Sequence, residues 1–167
     1  MDSNVESVRQ ALYAASQKGA RKAIREQAME LQRITHSCAT YPDACLDLIV
    51  EILAVNELFS KSGIDIFVLD MITTMYRLSD SQKQRLLQAI SDHYSEYADE
   101  EMCTLLGDLV ARNYDQSTAM QTFKALFNSA TDQGKEGIAL GLDILARDSK
   151  RDPRVMKEIQ AILGHNS

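Results

Sequence analysis

The sequence has little of what ends or crosslinks regular structure. Its 167 residues include only seven glycines, two prolines, three cysteines and no tryptophan. With so few glycines and prolines, each one that occurs is a marker for a boundary between elements. The three cysteines are Cys38, Cys45 and Cys103, an odd number in a chain long enough to build a core, which argues against a disulfide framework. We therefore expect reduced thiols and a cytoplasmic location.

Long apolar runs and an excess of positive charge are also missing. No stretch reaches the roughly 18 uninterrupted apolar residues of a membrane helix, and the N-terminus lacks the basic start and apolar core of a signal peptide. The chain has 18 Lys+Arg against 24 Asp+Glu, a net charge of -6. That charge repels nucleic acid and anionic lipid at long range. The composition therefore predicts that the chain binds neither nucleic acid nor a membrane.

The sequence motifs of the common enzyme classes are absent as well. There is no glycine-rich phosphate loop, no nucleophile elbow and no dinucleotide fingerprint. Cys38 and Cys45 lie seven positions apart with Pro42 between them, unlike the short Cys-x-x-Cys pair that structural zinc favours. The three histidines are isolated from one another in sequence. We expect no catalytic residue, no metal site and no cofactor.

What the sequence does contain is helical periodicity along nearly its whole length. The pattern predicts an all-α fold of about seven or eight short antiparallel helices, stacked as helical hairpins in an α-α superhelix or an irregular bundle. Gly19 indicates either a boundary between two helices or a weak point in one long helix. The apolar stripes on its two sides are Val5, Val8, Leu12 and Ala15, then Ala23, Ile24, Ala28, Leu31, Ile34 and Cys38.

The segment from Pro42 to about Ser62 is apolar on most of its circumference. Such a segment is typical of a helix packed on two sides near the centre of a fold. Alternatively, its part from Cys45 to Phe59 supplies an obligate dimer interface. We expect one all-α domain over residues 1–167, with an N-terminal helical segment at 1–40 and an array of helical hairpins at 42–163.

Two six-residue segments, 35 positions apart, match in character at every position. They are Asp108–Asn113 and Asp143–Asp148, and each precedes a short turn and a further amphipathic segment. This internal similarity indicates a repeated helix pair. The alternative is a chance alignment of two amphipathic helices of similar length.

The residues around the first of these segments carry a resemblance to a known family. Leu106-Gly107 on one predicted helix, with Ala119 and Phe123 on the next, fall at helix-packing positions. In this respect the stretch 100–132 resembles a tetratricopeptide repeat. The next copy keeps Leu140-Gly141 but has Pro153 where the small packing residue of that motif stands, and a HEAT-like array is similarly compatible. The resemblance implies that the protein binds peptides or proteins along a concave face.

Positive charge is concentrated near the N-terminus. The first 40 residues have 6 Lys+Arg and 4 Asp+Glu, a net of +2, which leaves 12 against 20, a net of -8, for the remainder. At three- and four-residue steps a helix brings basic residues to one side. This predicts a surface that docks an acidic partner; the alternative is a solvated face partnered by Glu26 and Glu30. The four residues, which we call the basic stripe, are Lys18, Arg21, Lys22 and Arg25.

A group of tyrosines forms the second candidate surface. Tyrosine combines a large contact area with a polar tip and is enriched in interfaces. We therefore predict a partner-binding face around residues 76 to 114; the alternative is that these side chains belong to the core. The four tyrosines are Tyr76, Tyr94, Tyr97 and Tyr114.

Together these features favour a protein–protein binding module without catalytic activity, such as an adaptor, a chaperone-like protein or an inhibitor of the immunity type. Another protein is the expected partner. One alternative is an enzyme or small-ligand receptor with a site between helices, which a cleft with buried His36, buried His93 or an unpaired carboxylate would favour. The other is an obligate homodimeric structural protein.

Overall fold

A computed structural model of the chain describes residues 2–61 and 63–164, and the regular elements in these ranges are all helical. The all-α prediction is confirmed. Contacts divide the chain into two compact units, Met1–Ile90 and Ser91–Ser167, here called the N-terminal and the C-terminal unit. The helices are α1 Asp2–Gln17, α2 Arg21–His36, α3 Asp43–Ala54, α4 Asn56–Phe59, α5 Asp65–Thr74, α6 Asp80–His93, α7 Glu100–Asn113, α8 Gln116–Leu126, α9 Asp132–Asp148 and α10 Pro153–Ile162, with 3-10 turns at Met75–Arg77 and Tyr94–Glu96.

Gly19 separates α1 from α2, so the two-helix alternative is correct. Its φ of +62° lies in the left-handed region, which glycine enters without steric cost. The two apolar stripes predicted on either side are largely buried. Their buried members are Val5, Val8, Leu12 and Ala15 on α1, and Ile24, Ala28, Leu31 and Ile34 on α2.

The single helix predicted from Pro42 to Ser62 is wrong in extent. Helix α3 ends at Ala54, and Val55 adopts an extended conformation with φ -102° and ψ 97°. The Val55 carbonyl then accepts hydrogen bonds from the N–H groups of Leu58 and Phe59, at 2.9 Å each, and α4 begins. After this break the side chains of Leu58 and Phe59 are buried in the core. Ser62, the expected end of the helix, lies outside the described residues.

The predicted burial of the α3 segment on most of its sides is confirmed. Six of its apolar side chains are at most 3% exposed. Since they are buried within one chain, these side chains form an intrachain core and do not present a dimer interface. They are Cys45, Leu46, Leu48, Ile49, Ile52 and Leu53.

Helices α2 and α5 run parallel to each other in the N-terminal unit. A Cβ on Gly63, just before α5, would lie 3.2 Å from Ile24 near the start of α2. Past the end of α5, the Arg77 guanidinium donates to the carbonyl oxygens of Thr35 at 2.7 Å and Cys38 at 2.5 Å. The Thr35 carbonyl also accepts from the Cys38 N–H at 3.2 Å, so Arg77 adds a second donor there, supplies one to Cys38 and joins the two helix ends.

Helix α6 begins with a reciprocal cap. The Ser79 hydroxyl accepts from the Gln82 N–H at 3.3 Å, and Gln82 Oε1 accepts from the Ser79 N–H at 3.0 Å. The amide nitrogen of Gln82 donates to the Tyr41 carbonyl at 3.0 Å and to Asp43 at 2.8 Å. The same buried side chain therefore caps its own helix and attaches it to the start of α3.

In the C-terminal unit, glycines bring α7 and α9 into backbone contact. A Cβ on Gly107 would overlap the Gly137 carbonyl, and a Cβ on Gly137 would overlap the Cys103 carbonyl. A Cβ on Gly141 would likewise overlap the Phe123 ring of α8. Close packing at Gly107, expected from the sequence, is thus present, and it depends on residues without side chains.

The start of α9 is bonded to the turn before α7. The Tyr94 hydroxyl donates to the Gly134 carbonyl at 2.9 Å, and the Thr131 hydroxyl donates to the Tyr97 carbonyl. Thr131 also caps α9 by accepting from the Gly134 N–H at 3.0 Å. The helix therefore starts at Asp132.

We predict that Gly137→Ala destabilises the protein. The new methyl group would meet the Cys103 backbone, and overpacking of this kind costs about 1–3 kcal/mol. The sign of the change in the free energy of unfolding tests the close contact, because Gly→Ala in a helix with open space around it stabilises by about 1 kcal/mol. Urea unfolding measures the effect, with the exposed Gln160→Ala as the control; a variant as stable as the parent would contradict the close contact.

A second prediction compares two buried tyrosine hydroxyls. Tyr94→Phe removes the donor to Gly134 and should cost about 1 kcal/mol. Tyr41 is 2% exposed, yet its hydroxyl has no hydrogen-bond partner among the described residues. Tyr41→Phe should therefore leave the free energy of unfolding unchanged or raise it. Equal losses in the two variants, measured by urea unfolding, would contradict this assignment.

Candidate protein-binding surface

The basic stripe is exposed at the beginning of α2. Three of its residues lie in the first two turns of that helix, and Lys18 lies in the preceding turn. Among the described residues no salt bridge involves the stripe. Glu30, one of its two expected partners, pairs instead with Arg33 at 2.5 Å, and Glu26 is exposed beside the stripe. The stripe is thus available to a partner.

A shallow groove of about 230 Å³ lies between α2 and α5. Two large apolar side chains on it face solvent: Met29 is 65% exposed and Leu69 is 44% exposed. Exposed apolar residues that are neighbours in space mark interaction sites more often than scattered ones do. We call this feature the α2–α5 groove; its lining residues are Ala28, Met29, Gln32, Ile66, Leu69, Asp70 and Thr73.

Asp70 gives the groove one partly buried carboxylate. Its Oδ1 is shielded from solvent and has no hydrogen-bond partner among the described residues. Burial raises the pKa of Asp70, because desolvation disfavours the charged form. The positive field of His36, a hydrogen bond from Gln32 and the charge of Arg77 act in the opposite direction on that pKa.

The stripe and the groove adjoin at one residue. Met29 lines the α2–α5 groove and also a wider depression formed with Arg21, Lys22, Arg25 and Glu26. Positive charge and exposed apolar surface are therefore contiguous on α2. This combination is complementary to a segment that is itself both acidic and apolar.

The predicted partner-binding face of four tyrosines is wrong at two positions. Tyr94 is 2% and Tyr97 is 1% exposed, and their rings pack edge to face with centroids 5.7 Å apart. These two side chains belong to the core, which is the alternative that the sequence left open. Burial also raises the pKa of the partly exposed Tyr114, whereas Tyr76 is 82% exposed just after α5.

The features that would favour an enzyme are sparse. His36 is exposed and His93 is partly buried, and the described part of the chain has no cluster of three or more possible metal ligands. A larger groove of about 710 Å³ lies between α8 and α10 of the C-terminal unit, and no predicted site residue lines it. Between residues 2 and 164, Ser62 apart, no helix is long and apolar enough to cross a membrane.

Comparisons with protein-family models, with curated proteins and with solved structures find no match to this chain. The assignment of the candidate surface therefore rests on the exposure and contacts of its residues. Three of its residues, Met29, Leu69 and Asp70, were missed in the sequence. Two signals were present: Met29 interrupts the polar side of α2, and Asp70 interrupts an apolar run.

We predict that Asp70→Asn changes how stability depends on pH. Because the pKa of Asp70 is raised in the folded state, the folded protein binds this proton more tightly than the unfolded chain does. Its contribution to the free energy of unfolding therefore falls as pH rises from about 4 through the raised pKa. The variant should lose this decrease and gain stability relative to the parent between pH 4 and pH 7.

Urea unfolding at a series of pH values measures the difference. Asp148→Asn, at an exposed position in the C-terminal unit, is the matched control and should leave the pH dependence nearly as it is. A parallel pH dependence in Asp70→Asn and the parent would contradict the raised pKa.

Proposed function

We propose that this protein is a protein–protein binding module without catalytic activity, and that the basic stripe and the α2–α5 groove form its contact surface. The partner is a protein whose contacting segment is acidic and apolar. The observation that carries the proposal is the exposure of Met29 and Leu69 beside the three cations of α2.

The energetics favour a protein partner at this surface. Burying a Met or Leu side chain contributes about 1.5–3 kcal/mol relative to leaving it in water. The stripe adds long-range attraction, which accelerates association with an acidic partner. Apolar contacts would thus supply affinity and the charges would supply rate and selectivity.

The arrangement of helices supports the same role. The long-range hydrogen bonds described above join residues 34 to 42 positions apart, among them Arg77 with Thr35, Gln82 with Tyr41, and Thr131 with Tyr97. Stacked hairpins have this kind of regular spacing, and arrays of them commonly bind partners along a row of helices. That this protein is a helical-repeat protein of the tetratricopeptide-like or HEAT-like kind stays a prediction.

Asp70 is the observation that favours the alternative, a small-ligand site. It is the partly buried carboxylate that would mark such a site. The groove is nevertheless smaller than the roughly 300–1,000 Å³ of typical ligand pockets, and three of its lining residues, Met29, Leu69 and Thr73, are exposed. These features fit a protein-contact surface better than a small-ligand pocket.

The proposal is tested by affinity capture from a lysate of the host, read by mass spectrometry. The test variant reverses charge at three positions, R21E/K22E/R25E. Its matched control reverses three exposed charges of the C-terminal unit, K150E/R154E/K157E. We expect one stoichiometric protein to bind the parent and the control, and to be lost by the test variant and at high salt, because screening weakens the attraction.

Circular dichroism verifies that both variants are folded, and sedimentation at several concentrations reports self-association. Equal capture by the test variant and the parent would refute the assigned surface. Capture of no protein, together with a concentration-dependent mass, would favour the homodimer instead.

A further inference from the structure

We propose that the segment bound in the α2–α5 groove is an amphipathic helix with acidic residues at one end and a Lys or Arg two to three turns away that reaches Asp70. Apolar residues between these charges would pack on Met29 and Leu69. This inference rests on the proposed function. It specifies the binding segment of the partner by its charge order, which is the order of acidic, apolar and basic residues along that segment.

The charge order follows from the parallel arrangement of α2 and α5. Arg21 lies next to Gly63 at the beginning of both helices. Asp70 lies farther along, where Gln32 and His36 of α2 act on its carboxylate. The surface is therefore positive at one end and apolar in the middle, and it has the Asp70 carboxylate, with Arg77 close to it, toward the other end.

The spacing follows from helix geometry. At 1.5 Å per residue, Gln32 lies about 10 Å along α2 from Arg25 and about 16 Å from Arg21. A helix lying along the groove covers those distances in about 7 to 11 residues. An acidic residue and a basic residue separated by that interval would meet the stripe and Asp70 together.

The donor is required by the state of Asp70. Its Oδ1 is already shielded from solvent, but the residue is only partly buried and lines the groove, so an occupant that displaces solvent from the rest of its carboxylate must supply a hydrogen bond or leave a desolvated charge. Arg77, the nearby cation, donates to two carbonyl oxygens at the end of α2. A Lys or Arg from the partner provides the charge-assisted bond that a carboxylate accepts best.

Other occupants match this surface less well. A phosphate backbone would meet the stripe but also the Asp70 carboxylate and a chain with a net charge of -6. A second copy docked groove to groove would bring two basic stripes together in the parallel orientation, and in the antiparallel orientation would offer each stripe only the single Asp70 carboxylate. The apolar centre with opposite charges at its ends fits an amphipathic helix, which presents residues at three- and four-residue steps.

A display library of random 16-residue peptides, panned on the full chain, tests the inference without assuming a sequence. We expect the recovered peptides to carry acidic residues, at least two apolar residues, and a Lys or Arg 7 to 11 positions from the acidic end. Fluorescence anisotropy then measures the best peptide against the parent, R21E/K22E/R25E and Asp70→Asn. Binding should fall at least tenfold in both variants.

A peptide in which norleucine replaces the basic residue probes the same contact without altering the protein. It should bind the parent at least tenfold more weakly than the original peptide and should bind Asp70→Asn no more weakly than the parent, since the two changes remove one interaction. K150E/R154E/K157E serves as the control and should bind the original peptide like the parent.

The outcomes separate this inference from the proposed function. Peptides that depend on the stripe but lack a basic residue, or that bind Asp70→Asn as well as the parent, would overturn the assigned charge order and leave the binding module standing. Peptides that bind R21E/K22E/R25E as well as the parent, or recovery of no binding peptide, would overturn both.

Discussion

Each unit combines contacts between consecutive helices with contacts between helices that are far apart in the chain. Short amphipathic helices are marginal in water alone and become stable when their apolar faces pack. In the N-terminal unit α5 lies parallel to α2, with Arg77 joining their ends. In the C-terminal unit α9 lies against α7 through Gly107 and Gly137. These pairings determine which faces of the helices are covered and which stay exposed.

The candidate surface is a direct result of one such pairing. With α2 and α5 held side by side, Met29 and Leu69 lie on the same groove although 40 positions separate them. The same alignment places Asp70 near Gln32 and His36 rather than in solvent. An ordinary acidic residue thereby becomes a carboxylate with a raised pKa, next to exposed apolar side chains.

Much of the fold was predictable from local chemistry. The periodic apolar residues marked the buried faces, and Gly19 marked the boundary between α1 and α2 because glycine enters the left-handed region without steric cost. The break at Val55 was not predictable, because valine carries no such signal and the apolar pattern continues through it. The described residues contain ten α-helices, more than the expected seven or eight, and the break at Val55 accounts for one of them, α4.

The sequence by itself determined the helical class, the position of the basic stripe and the lack of common catalytic motifs, since these follow from composition and from the helical period. Tertiary structure decided which tyrosines are buried: Tyr94 and Tyr97 lie in the core whereas Tyr76 faces solvent, although all three have the same chemistry. It also decided that Met29, Leu69 and Asp70 form one surface. The physical reason is that the exposure of a side chain, and its contacts with residues distant in sequence, depend on how the helices pack. A helical pattern in the sequence defines the face of a helix but not the element that covers that face.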